Sequence, residues 1–179
     1  MLSTNQKGAI AETAIIHAAV KLGIGVFRPV ADERYDLIFD LRPRLIRVQC
    51  KWAARHGEVI VIRCYSNRRA RHGMVTRTYT ADEIDAIAAH CAELGRSYLL
   101  PIELCSGRRH IHLRLSRARN NQRLGVNEAR DFEFGATLAA NPGAIAQLGE
   151  RPDGIRKVAG SIPAGSTPLP LFSRGAVTK

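Results

Sequence analysis

Between residues 4 and 22, Ala11, Ile15, Ala18, Ala19 and Leu22 recur at helical spacing and fall on one face. This predicts a first helix with Thr4 as its N-cap, ended by Gly23 and Gly25. Val26 to Val30 predicts a short strand broken by Pro29. The period then shifts to strict alternation. Tyr35, Leu37, Phe39 and Leu41 point one way, while Asp36, Ile38 and Asp40 point the other. From Leu45 to Trp52 the apolar Ile46, Val48, Cys50 and Trp52 stand opposite Arg47, Gln49 and Lys51. The β-branched run "EVIVIRC", Glu58 to Cys64, predicts a central strand.

Further along, the polar stretch Tyr65 to Thr78 reads as a loop or hairpin. Thr80-Ala-Asp-Glu83 has the form of a capping box and predicts a second helix, with Ile84, Ile87, Ala88 and Cys91 as its buried stripe. Ser97 to Glu103 and His110 to Leu115 are further strands, and Asn120 to Phe134 is a short final helix around Ala129. This succession of helix, mixed sheet, helix and sheet predicts an α/β or α+β sandwich. From about Pro142 glycine and proline become dense and no hydrophobic period survives, which predicts a disordered tail.

Charge changes the picture more than size does. The 179 residues carry 27 Lys and Arg against 16 Asp and Glu, a formal charge of +11. Such an excess favours a polyanionic partner. Arginine supplies 22 of those 27 cations, and its fork suits phosphate and guanine. From Arg42 to Arg77 there are ten basic residues and one acid, Glu58. Within that stretch Arg47, Arg55 and Arg77 are candidate DNA contacts, and "SNRRARHG" offers Asn67, Arg68, Arg69 and Arg71 as a groove-reading element. A second cluster, "RLSRARNNQR", adds Arg117, Arg119, Asn121 and Gln122. Cys50, Cys64, Cys91 and Cys105 show no paired-knuckle zinc spacing, and no apolar run reaches the length of a membrane span. The expectation is a reduced, cytoplasmic protein.

One polar face has the makings of a phosphodiesterase site. That chemistry needs carboxylate and other oxygen ligands for Mg²⁺, and a cation near the scissile phosphate. Gln49 and Lys51 share one strand face, and an antiparallel return from Leu41 would bring Asp36 beside them. Burying these groups unpaired would cost kcal/mol each, so a function explains them better than a core does. Glu12 lies one residue off the apolar stripe of the first helix, where a carboxylate wants a cationic or metal partner. His110 and His112 share a strand face but lack a third ligand at sensible spacing.

The order of Glu12 in a first helix, then "YDLIFD", then "RVQCKWA" resembles the group I intron-associated homing endonucleases built on the PD-(D/E)xK restriction fold. "YTADEIDAIAAHCAE", "SYLLPIE", "HIHLRLSRARNNQ" and "NEARDFE" extend the resemblance across roughly Lys7 to Phe134. It implies a restriction-endonuclease-like core, a mixed β-sheet flanked by helices, over residues 1–135, followed by the tail 136–179. It also implies that Asp36 is the main metal ligand and that Gln49 binds metal through its amide oxygen, in the slot usually filled by Glu or Asp. Lys51 would activate water or stabilise the phosphorane, and Glu12 would serve a second metal position. Tyr35 stands where the family usually has a proline before the Asp. The implied function is Mg²⁺-dependent, site-specific cleavage of double-stranded DNA by a symmetric homo-oligomer, dimer or tetramer, promoting intron mobility. The alternatives are a Holliday-junction-resolvase-like nuclease with the same catalytic set, or a catalytically degenerate DNA-binding protein.

The tail has a peculiarity. Residues 143–167, "GAIAQLGERPDGIRKVAGSIPAGST", resemble a translated tRNA gene. Gly143-Ala144-Ile145 permits GGA GCC ATA and Ala164-Gly165-Ser166 permits GCT GGC TCC, complementary as acceptor-stem strands must be. The nucleotide sequence would decide it.

Overall fold

The computed structural model describes residues 1–116 and 125–135. Helix α1 spans Thr4–Lys21. Its N-cap is Ser3 rather than Thr4: the Ser3 hydroxyl accepts from the Gln6 amide while the Gln6 side chain accepts from the Ser3 amide at 2.8 Å. This reciprocal box satisfies two of the donors that a helix start leaves open. At the other end Gly23, at φ +74°, lets Ile24 N–H reach back to the Ala19 carbonyl at 3.1 Å. The apolar stripe is narrower than its spacing suggests, since Leu22 stays exposed.

 The residues it buries are Ala11, Ile15 and Ala19.

Strands β1 (Gly25–Phe27), β2 (Leu37–Asp40) and β3 (Leu45–Trp52) follow as an antiparallel meander, in register Val26 to Phe39 and Leu37 to Val48. Then come β4 (Ala54–His56), β5 (Val59–Arg63), and the hairpin of β6 (Tyr65–Ala70) and β7 (Gly73–Thr78). The basic stretch is therefore a hairpin, paired from Tyr65 opposite Thr78 to Ala70 opposite Gly73.

The expected second helix is a strand. The Thr80 box closes one turn only, with Glu83 and Ile84 N–H both on the Thr80 carbonyl at 3.1 Å. Asp85 N–H then bonds the Arg47 carbonyl at 2.9 Å, and the chain continues as β8 (Ala86–Cys91), parallel to β3. Ile84, Ile87, Ala88 and Cys91 are buried as expected, but β8 is covered on both faces. An unbroken apolar run fits a doubly buried strand as well as a helix, so periodicity could not separate them. β9 (Arg96–Pro101) pairs antiparallel with β8, and the chain then turns through α2 (Ile102–Cys105) where a strand to Glu103 was expected. β10 (His110–Arg114) and β11 (Asn127–Glu128) are parallel partners. A single 3₁₀ turn, Ala129–Phe132, stands within the expected final helix. Arg117, Arg119, Asn121 and Gln122, and the tail from residue 136 with its tRNA-like segment, lie outside the described residues.

The strands form a mixed sheet in the order β1-β2-β3-β8-β9 and a second sheet in the order β11-β10-β5-β4. The first sheet has α1 on one face, where Ile15 and Ala19 pack with Leu37, Phe39, Val48 and Ala88. Its other face meets the second sheet through Ile60, Ile62, Ile87, Tyr98, Leu100 and Ile111. Strand β5 is an interior strand of that second sheet. Both core clusters are apolar, and Arg47, Gln49 and Lys51 on β3 are only partly buried.

Candidate active site

The antiparallel register of β2 on β3 carries Asp36 to the polar face of β3. Asp36 N–H bonds the Val48 carbonyl at 3.0 Å, one residue before β2 begins. Its carboxylate oxygen Oδ2 accepts from Cys50 N–H at 2.7 Å and from the Gln49 side-chain amide. Burial raises the Asp36 pKa above the ordinary carboxylate value, opposed by the Cys50 N–H and by Lys51, and reinforced by the negative charge of Glu12. Glu12 reaches the region from α1 and pairs with Arg28 at 2.7 Å, the cationic partner its position called for.

Lys51, two residues beyond Gln49, places Nζ 2.7 Å from the Tyr79 hydroxyl and 4.8 Å from that ring's centre. Burial brings its pKa down to about 8, with Asp36 pulling the other way and Arg34 adding to the depression. A carboxyl whose pKa burial raises, beside an amine whose pKa burial lowers, is a pairing of perturbed groups that clusters at functional sites.

The donors fit a hard divalent cation. Asp36 Oδ2 and the Cys50 carbonyl converge on one position, held by the Gln49 amide nitrogen, which lies 3.4 Å from that carbonyl. Turned over, the same amide offers an oxygen, and oxygen is what Mg²⁺ selects. Among the described residues no three His, Cys, Asp or Glu side chains gather into one cluster. The oxygens that meet there are one carboxylate oxygen, of Asp36, and one backbone carbonyl, of Cys50, with the Gln49 amide between them.

The basic residues divide. Arg68, Arg69 and Arg71 are exposed along β6 and at the hairpin tip, and Asn67 is tied across the hairpin by Thr76 Oγ1 at 2.8 Å. Arg77 pairs with Glu83, and Arg55 lies 3.5 Å from Glu58. Arg47, expected as a DNA contact, is half-exposed and bonded to protein groups. It grips Asp85 through Nε at 3.1 Å and Nη2 at 3.0 Å, and also meets the Ala81 and Asp82 carbonyls. Burial opposes the Asp85 charge, but the Arg47 hydrogen bonds win and hold its pKa below the ordinary value. Arg47 thus pins the entrance of β8 to β3. Sequence reasoning missed Tyr79, which touches Lys51, and Arg34, which lies over the Tyr79 ring; both arrive through long-range folding and carry no periodic signal.

A family model, PD-(D/E)XK endonuclease, matches residues 2–135. The chain belongs to the PD-(D/E)XK endonuclease family, and it has that family's fold. Among solved structures it is similar to a bacterial homing endonuclease, I-Ssp6803I, with a TM-score of 0.62 and 28% identity, over 82% of this chain and 99% of that one. No curated protein matches.

Proposed function

We propose that the protein is a site-specific, Mg²⁺-dependent double-strand DNA endonuclease, a homing endonuclease that promotes group I intron mobility. The observation that carries the reading is the meeting of Asp36, Gln49 and Lys51 on one face, with Glu12 close enough to influence Asp36. Asp36, Gln49 and Glu12 would hold Mg²⁺, which supplies Lewis acidity toward the phosphoryl oxygens. Lys51, cationic or neutral near pH 8, would steady the charge of the pentavalent phosphate or take a proton from the attacking water. The Cys50 N–H would hold the Asp36 carboxylate in place for Mg²⁺.

Substrate recognition belongs to the exposed cations. Arg68, Arg69 and Arg71 would contact the duplex, with Asn67 and Arg77 on the same hairpin, Arg55 on β4, and Arg117, Arg119, Asn121 and Gln122 as a second contact. Cutting both strands calls for two active sites, hence a symmetric oligomer. Residues 1–135 would be the catalytic unit and 136–179 an extension without a catalytic part; the matched span of 2–135 supports this division. Similarity to a bacterial homing endonuclease supports the mobility role.

The test is incubation with Mg²⁺ of a long mixed duplex beside a four-way junction. Discrete cuts in the duplex support the homing reading. Junction-only cleavage would favour a resolvase, and binding without any cut would leave a DNA-binding protein.

A further inference from the structure

Tyr79 is 2% exposed and sits at the root of the β6–β7 hairpin. Two cations share its ring: the Arg34 guanidinium 4.4 Å from the centre and Lys51 Nζ at 4.8 Å. Lys51 also donates to the phenol oxygen at 2.7 Å. Arg34 is itself anchored, donating to Ser66 Oγ at 2.8 Å, to the Thr78 carbonyl at 3.2 Å and to Glu83 at 3.3 Å. Tyr79 is therefore gripped by a residue that spans both hairpin strands, and in turn it grips Lys51.

A lysine side chain has a flexible four-carbon stem and three rotatable donors, and nothing in the β3 backbone chooses its rotamer. A buried ammonium needs acceptors, and a buried phenol needs a partner. The Lys51–Tyr79 contact meets both needs and leaves two ammonium hydrogens free to turn toward a substrate oxygen.

We propose that Tyr79 is the positioning residue for Lys51, holding its Nζ at the end of β3 by a hydrogen bond and by the face of its ring. The inference rests on the nuclease reading, in which Lys51 acts on the scissile phosphate. Tyr79 touches no substrate atom itself.

The experiment uses the full chain as wild type, Lys51→Ala and Tyr79→Phe, the last keeping the ring and losing only the hydroxyl. Single-turnover cleavage of a duplex that the wild type cuts is measured in Mg²⁺, and affinity for that duplex in Ca²⁺. Separately, without metal, acylation of Lys51 by a water-soluble N-hydroxysuccinimide ester is followed by mass spectrometry, with Lys7 and Lys21 as internal references. Tyr79→Phe is expected to cut about tenfold more slowly at saturating DNA, the scale of one lost charge-assisted hydrogen bond. Its DNA affinity stays within about twofold, and its Lys51 is acylated several times faster, on the order of that same bond. Wild-type cleavage by Tyr79→Phe, or faster cleavage, would overturn the proposal, and so would slower cleavage with unchanged acylation. A wild type that cuts no DNA would sink the nuclease reading and the catalytic purpose of the contact with it. The acylation readout would still report whether Tyr79 restrains Lys51.

Discussion

On β3, Gln49 and Lys51 are half-buried and bonded to protein groups, and the neighbouring Asp36 carboxylate is pushed away from its ordinary titration. On β6, Arg68 and Arg69 stand exposed on a hairpin that forms a two-stranded sheet of its own. The first region holds few charges at fixed places in a low-dielectric setting, where each is worth more. The second spreads many cations in water, where salt screens them and geometry is loose. One arrangement suits bond cleavage and the other suits attraction to a polyanion. Arg34 and Tyr79 join them at the hairpin root.

That division breaks most visibly at Asp36. Asp36→Asn should lower Mg²⁺-dependent cleavage by about 10³-fold or more, because it would remove the charged oxygen proposed to hold the metal. DNA affinity measured in Ca²⁺-free, Mg²⁺-free buffer should not fall, and a matching loss of affinity would mean the two regions are not separate.

The reverse change sharpens the contrast from the other side. Replacing Arg68, Arg69 and Arg71 together by Ala should weaken duplex binding about 100-fold at moderate salt and reduce the log–log salt slope by about 2 to 3. Cleavage at saturating DNA should stay within a few-fold of wild type. A titration at several salt concentrations checks the first claim, and an unchanged slope would take the hairpin out of the interface.

A smaller effect is expected in stability without metal. Lys51 has its folded pKa depressed from 10.5 to about 8. Between those values the unfolded chain binds more protons, so stability rises with pH. The contribution is complete above the unfolded value and is lost as pH falls through about 8. Wild type measured against Lys51→Met by denaturant unfolding should therefore gain on the order of 2 kcal/mol between pH 7 and pH 10.5. A flat difference would show that burial does not weigh on this amine.

Much of this was legible in the chain, for reasons that differ by segment. The β2–β3 pair could be read because one face of each strand is apolar and the other polar, and a period of two leaves no other solution. Asp36, Gln49 and Lys51 came together because that register brings them there. The β8 strand could not be read, since Ile84, Ile87, Ala88 and Cys91 also fall at helical spacing and its burial on both faces depends on two distant layers. Arg47 looked like a surface cation because Asp85, its partner, lies 38 residues away in sequence. Arg34 and Tyr79 were invisible for the same reason: the bond from Arg34 to Thr78 spans 44 residues. Local pattern reports faces, whereas partners are set by topology.

The central claim is that the Asp36–Gln49–Lys51 face cuts DNA that other residues bind. Its most direct test is one assay of wild type beside Lys51→Ala, reading Mg²⁺-dependent cleavage and bound duplex from the same samples. The account predicts cuts by the wild type and about 10²- to 10³-fold less cleavage by Lys51→Ala, with equal amounts of duplex bound. Cleavage by Lys51→Ala at the wild-type rate would contradict it.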